Sequence, residues 1–182
     1  MTILTTIDPA TAEPKAKALL DGVHKKLGVT PNMMRVLASS PAALSAYLGF
    51  AGTLAGGKLG AKINEQIALT VAEANGCDYC LAAHSLLGKG AGLSQSDISS
   101  ARSGGATDPR AAAALQLASK IVAERGAVSR QDIDAARAAS LSDGEIVEVI
   151  AAVALNIFTN YLNIAAATDI DFPPVGKLQQ AA

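Results

Sequence analysis

Apolar residues recur three and four positions apart along most of the chain. Ile63, Ile67, Thr70-Val71 and Ala74 fall on one helical face, and Leu115, Ala118 and Ile121-Val122 fall on another. That spacing lays side chains along a stripe of an α-helix. No run alternates apolar and polar residues cleanly enough to make a strand. The polar positions act as punctuation. Ser94-x-x-Asp97, Ser129-x-x-Asp132 and Ser142-x-x-Glu145 each set a hydroxyl and, three residues on, an acid where a helix begins. Thr30-Pro31, Ser40-Pro41 and Asp108-Pro109 pair a capping residue with a proline at the first helical position. Gly28, Gly60, Gly76, Gly104-Gly105 and Gly126 supply stops. The pattern predicts helices near 12–28, 31–38, 41–56, 61–75, 77–89, 94–103, 109–125, 129–139 and 142–167, hence an all-α protein.

The 182 residues suit one domain spanning 1–182. Residues 172–182, with Pro173-Pro174 and a polar end, read as an extended C-terminal arm suited to lie on a neighbouring subunit. Leu93–Arg102 and Val128–Arg137 look alike, which fits either a duplicated helical unit or two good caps that converged on similar residues. Two copies fall short of the three or more a solenoid needs.

Composition narrows the function. Hydrophobic residues make up 50% and aromatics 3%, with no tryptophan, while roughly a fifth of the chain is alanine. Close helix contacts are expected, and there are too few aromatics to stack bases. Fifteen basic against sixteen acidic residues leave a net charge of −1, so no basic field is available for nucleic acid or an anionic membrane. The amino terminus lacks the basic and apolar regions of a secretory signal, and a cytoplasmic protein is expected. Val149–Phe158, the most apolar segment, is about ten residues long against the ~20 of a membrane span, and reads as a core helix. Apolar faces combined with few aromatics also predict packing between subunits.

The chemistry concentrates in Asn75-Gly-Cys77-Asp-Tyr79-Cys80-Leu-Ala-Ala-His84. Two cysteines placed at random would fall three apart roughly once in ninety cases, and one of only two histidines follows four residues later. On a helix Cys77, Cys80 and His84 share one face, and a start at Gly76 puts both thiols in the first turn, where the positive end of the helix favours thiolates. Glu65 and Glu73 lie on the preceding helix, and a tight turn at Asn75-Gly76 can fold either carboxylate back onto the cysteine face. Tyr79 is placed to pack or to donate a hydrogen bond. A zinc site is disfavoured, because its fourth ligand would have to come from Glu65, Glu73 or distant His24. His24, beside Lys25 and Lys26, reads as a surface residue. Gly52-Thr-Leu-Ala-Gly-Gly57-Lys58-Leu59 nearly spells a phosphate-binding loop but has Leu59 in place of the Ser/Thr and no preceding strand. Asn156 and Asn160, one turn apart on an apolar helix, demand partners. A thioredoxin-like reading, with Cys77 as nucleophile, needs a βαβ context that is not visible.

The pattern Glu65-x11-Cys77-x2-Cys80-x3-His84 resembles the AhpD-like alkylhydroperoxidase branch of the carboxymuconolactone decarboxylase superfamily. The ending from Asn156-Ile-Phe-Thr-Asn160-Tyr-Leu-Asn to Ile170-Asp-Phe-Pro is similar to its peroxidase-related subgroup. The resemblance implies an AhpD-like helical bundle and a trimeric or hexameric homo-oligomer. It also implies a peroxidase that reduces hydroperoxides without a bound cofactor and is itself reduced by an external dithiol such as a lipoyl group. Cys80 would attack the peroxide, Cys77 would resolve it, and Glu65 with His84 would relay protons. Tyr79 stands where AhpD itself has a second histidine. Other readings are a redox-sensing or scaffold oligomer using the same pair, and an enzyme acting on a small cyclic acid or lactone without thiol turnover.

Overall fold

The computed structural model describes residues 2–178, and among them every regular element is helical. In chain order these are α1 (Pro14–Leu27), α2 (Asn32–Leu37), α3 (Pro41–Leu54), α4 (Gly60–Asn75), α5 (Asp78–Gly90), α6 (Gln95–Arg102), α7 (Pro109–Ala123), α8 (Arg130–Ala138) and α9 (Asp143–Ala166). All nine expected helices form. The three Ser-x-x-acid signals are full capping boxes at α6, α8 and α9, and Ser40 and Asp108 cap α3 and α7.

Two signals act differently from expectation. Pro31 is extended (φ −57°, ψ 148°) and precedes α2, whose first amide, Asn32 N, is capped by Asp171 Oδ2 at 2.8 Å and not by Thr30. A carboxylate from the far end of the chain has taken over the capping role. Gly60, expected as a stop, is instead the first residue of α4.

The centre of the fold is α4. Residues 66–72 are all buried, as they must be in a helix enclosed on every side by α5, α6, α7 and α9. Ile67 and Leu69 of α4 are fully buried, as are Leu20, Leu44, Ile98, Leu115, Val149 and Val153 of other helices. Thr70, polar within this core, donates its hydroxyl to Ala101 O at 2.7 Å and so ties α4 to α6.

The long helix α9 packs on α3, α4, α5, α7 and α8. At 24 residues it is long and apolar enough by length and composition to cross a membrane, well beyond the ten-residue segment that stood out in the sequence. Its polar residues Asn156, Thr159, Asn160 and Asn163 are nonetheless buried against the other helices, which makes it a core helix. Its first turns fasten neighbours: Glu145 binds Arg110 of α7, and Glu148 Oε2 accepts from Lys58 N (2.8 Å) and Leu59 N (3.1 Å). The near-phosphate loop therefore does hold an anion, the chain's own carboxylate. A Cβ on Gly57 would lie 2.6 Å from that carboxylate oxygen, so any larger residue there would push the end of the Glu148 side chain away. On the outer side of α9, Val147, Ile150, Phe158, Tyr161 and Ile164 are exposed.

Over its described residues the C-terminal arm packs on its own chain. Phe172 packs edge-on against Tyr79 with ring centroids 5.5 Å apart, and Gly176 O accepts from Arg102 Nη1 at 2.9 Å. Positions 179–182 of the expected arm lie outside the described residues.

Candidate functional site

The site is built by one reversal of the chain. α4 ends at Gly76, whose left-handed backbone (φ 67°) only glycine adopts without strain, and Cys77 N closes the turn onto Ala72 O at 2.9 Å. α5 then returns alongside α4. Cys77 is its N-cap, with Sγ accepting from Cys80 N at 3.3 Å, and the two cysteines are joined as a disulfide with Cα atoms 5.3 Å apart.

The reversal brings Glu65, three turns before Cys77, opposite His84. Glu65 Oε2 lies 2.8 Å from His84 Nδ1. Cys77 and Cys80 are buried, at 1% and 2% exposure, whereas the side chains of His84 and Glu65 retain 22% and 21%. The thiols are therefore enclosed, while the histidine one turn on from Cys80 and the carboxylate paired with it are both partly open to solvent. A carboxylate at Nδ1 also directs Nε2 as the free ring position.

Glu73 faces elsewhere. Its Oε2 accepts from Arg102 Nε at 2.7 Å, and Arg102 is itself buried, so this pair ties α4 to α6. Tyr79 is buried with its ring on Phe172 and its hydroxyl oxygen accepting from Met33 N at 3.1 Å. Burial pushes its phenol strongly upward, and Asp171 adds to this, so Tyr79 stays neutral. His24 is exposed on α1. No group of three His, Cys, Asp or Glu among the described residues is arranged to hold a metal ion.

Two residues near the site went unnoticed in the sequence. Asn163 of α9 points Nδ2 at Cys80 Sγ, 3.4 Å away. It continues the polar stripe of Asn156 and Asn160 by one more turn, and that i, i+4, i+7 spacing was the available signal. Asn160 accepts from Asn75 Nδ2 at 2.9 Å, and Asn156 donates to Ala152 O of its own helix at 2.9 Å. Tyr47 of α3 lies close enough to Glu65 to feel its charge, and burial together with that carboxylate pushes its phenol up to about 12. Nothing in the sequence marks Tyr47, because its place depends on where α3 comes to rest.

Known proteins share this fold. Residues 41–120 match the model of the carboxymuconolactone decarboxylase family. No curated protein matches by sequence. Among solved structures, the alkylhydroperoxidase AhpD core of an uncharacterized peroxidase-related protein from Ralstonia eutropha superposes with a TM-score of 0.85 at 20% identity, covering 93% of this chain and 92% of that one. A peroxidase-related protein from a Silicibacter species gives 0.79 at 22% identity, covering 91% of each chain. The debrominase Bmp8, solved with 2,3,4-tribromopyrrole, gives 0.79 at 20% identity over 94% of this chain and 92% of that one.

Proposed function

We propose that this chain, which carries the carboxymuconolactone decarboxylase family pattern over residues 41–120 and an AhpD-like all-α fold, is a thiol-dependent hydroperoxide reductase. The observation that carries the reading is the contact of Glu65 with His84, one helical turn from Cys80 and part-exposed above a buried Cys77–Cys80 pair.

The Cys80 thiolate attacks the terminal oxygen of the hydroperoxide. An S–O bond forms, the O–O bond breaks, and the alkoxide leaves as an alcohol with a proton delivered by way of His84. Cys77 then attacks the Cys80 sulfenic acid, an S–S bond forms and water leaves. An external dithiol, with a lipoyl group as the suggested donor, returns two electrons by thiol–disulfide exchange and regenerates both thiols. No bound cofactor takes part, and a reducing cytoplasmic setting would supply the dithiol. The exposed apolar side of α9 supports a homo-oligomer of trimeric or hexameric type.

Peroxide consumption with a supplied dithiol tests the reading: activity is expected in the parent and absent in Cys80→Ser. Full activity in Cys80→Ser would remove it. The structural likeness to a debrominase favours a second reading, reductive debromination of a halogenated pyrrole by the same two thiols. Mixing the reduced protein with a hydroperoxide or with a bromopyrrole, and following disulfide formation, shows which oxidant it accepts.

A further inference from the structure

We infer that Asn163 is a positioning residue that holds an amide N–H on Cys80 and makes the Cys77–Cys80 pair easier to reduce. The inference rests on the reading of these cysteines as a redox pair, but not on peroxide being the oxidant.

The two sulfurs have different donors. The first-turn amide of α5 that reaches a sulfur, Cys80 N, serves Cys77 Sγ at 3.3 Å. The helix start therefore supports the resolving thiol by a direct bond. Cys80 Sγ receives the side-chain amide of Asn163 at 3.4 Å.

Asn163 is 3% exposed, and its Oδ1 is buried with no hydrogen-bond partner. In the oxidised protein this amide thus spends its N–H on a weak sulfur acceptor and leaves its carbonyl unpaired. A side chain present only to fill space there would be better apolar, since burying an unpaired polar atom costs stability. Among the neighbouring asparagines of the stripe, Asn156 donates to Ala152 O, and Asn160 accepts from Asn75 Nδ2 while its own Nδ2 is buried without a partner; what sets Asn163 apart is the contact of its N–H with a redox sulfur.

Reduction changes the worth of the N–H. Two electrons break the S–S bond, one sulfur takes a proton, and Cys80 is left as a thiolate. A hydrogen bond to an ionised acceptor is roughly twice as strong as one to a neutral acceptor. Asn163 therefore stabilises the reduced, ionised form of Cys80 over the disulfide, lowering the thiol pKa and raising the reduction potential of the pair.

The test uses Asn163→Leu and Asn163→Asp, with Asn156→Leu as a control on the same helix face. Aspartate keeps the size of asparagine, removes the N–H donor and sets a carboxylate against the thiolate, so its effect on the Cys80 pKa should be at least that of leucine. Ultraviolet thiolate absorbance against pH, in a Cys77→Ser background, reads the Cys80 pKa. Equilibration of the full protein with glutathione reads the redox balance. Asn163→Leu should raise the Cys80 pKa by about one unit, and Asn163→Asp by at least as much. Asn163→Leu should shift the equilibrium about tenfold toward disulfide, which is about 30 mV for a two-electron couple. Asn156→Leu should move neither quantity. An unchanged Cys80 pKa in folded Asn163→Asp overturns the inference even if Asn163→Leu does not fold, and so does an equal shift in Asn156→Leu. Variants that show these shifts, beside a parent that consumes no hydroperoxide, leave the inference standing and remove the peroxidase reading.

Discussion

Glu65 Oε2 and His84 Nδ1 stand 2.8 Å apart although 19 positions separate them in the chain. With the carboxylate on Nδ1, the other ring nitrogen is the one available for proton transfer at the thiol. Glu65→Gln should therefore lower peroxide turnover about 100-fold, within the usual range for loss of general acid–base help. Alkylation of Cys80 at a pH where it is fully ionised should persist. Glu73→Gln, which loses only the tie to Arg102, should keep its turnover; a larger loss there than in Glu65→Gln would move the relay to Glu73.

Tyr79→Phe tests the opposite assignment, that a residue between the two cysteines serves structure. The substitution strips Met33 N of its buried partner. Urea denaturation should show a loss of about 1–3 kcal/mol. Turnover per folded molecule should stay near that of the parent.

Acid stability should depend on the first turn of α9. Glu145 is held down to about 2, first by the Ser142 hydroxyl and backbone and then by Arg110. In the unfolded chain a glutamate titrates near ~4.3, so the unfolded form takes up the proton first. The stabilisation is thus complete above that pH and disappears as pH falls from there through about 2. Chemical denaturation at a series of pH values should show a drop in this window for the parent and a flatter profile for Glu145→Gln.

Association should map to the outer side of α9. Val147 and Tyr161, at 62% and 59% exposure, stand on an apolar stripe too extensive to leave in water comfortably. Sedimentation should give a mass above 18.3 kDa for the parent and close to it for Tyr161→Lys. A parent at 18.3 kDa would contradict the expected oligomer.

Much of this is legible in the sequence, for identifiable reasons. Capping is local, so Ser94, Ser129 and Ser142 announced three helix starts within three residues of themselves. Helical spacing sets His84 one turn beyond Cys80, and the Gly76 turn returns Glu65 to that histidine. What escaped depends on distant packing. Asp171 caps α2 from 139 positions away, Arg102 draws Glu73 out of the site, and Asn163 meets Cys80 across 83 positions. None of these contacts leaves a periodic trace, apart from the one-turn continuation that links Asn163 to the other two asparagines.

The segment between the two thiols divides its labour unequally. Asp78 faces solvent, while Tyr79 is clamped by the backbone of α2 and by Phe172 of the arm. Evolution can therefore vary the first of these positions at little expense, but a change at the second must be matched in two remote parts of the chain. Relatives that drift at Tyr79 should carry altered partners at the positions of Met33 and Phe172, so redox tuning through this dipeptide has in effect one adjustable residue.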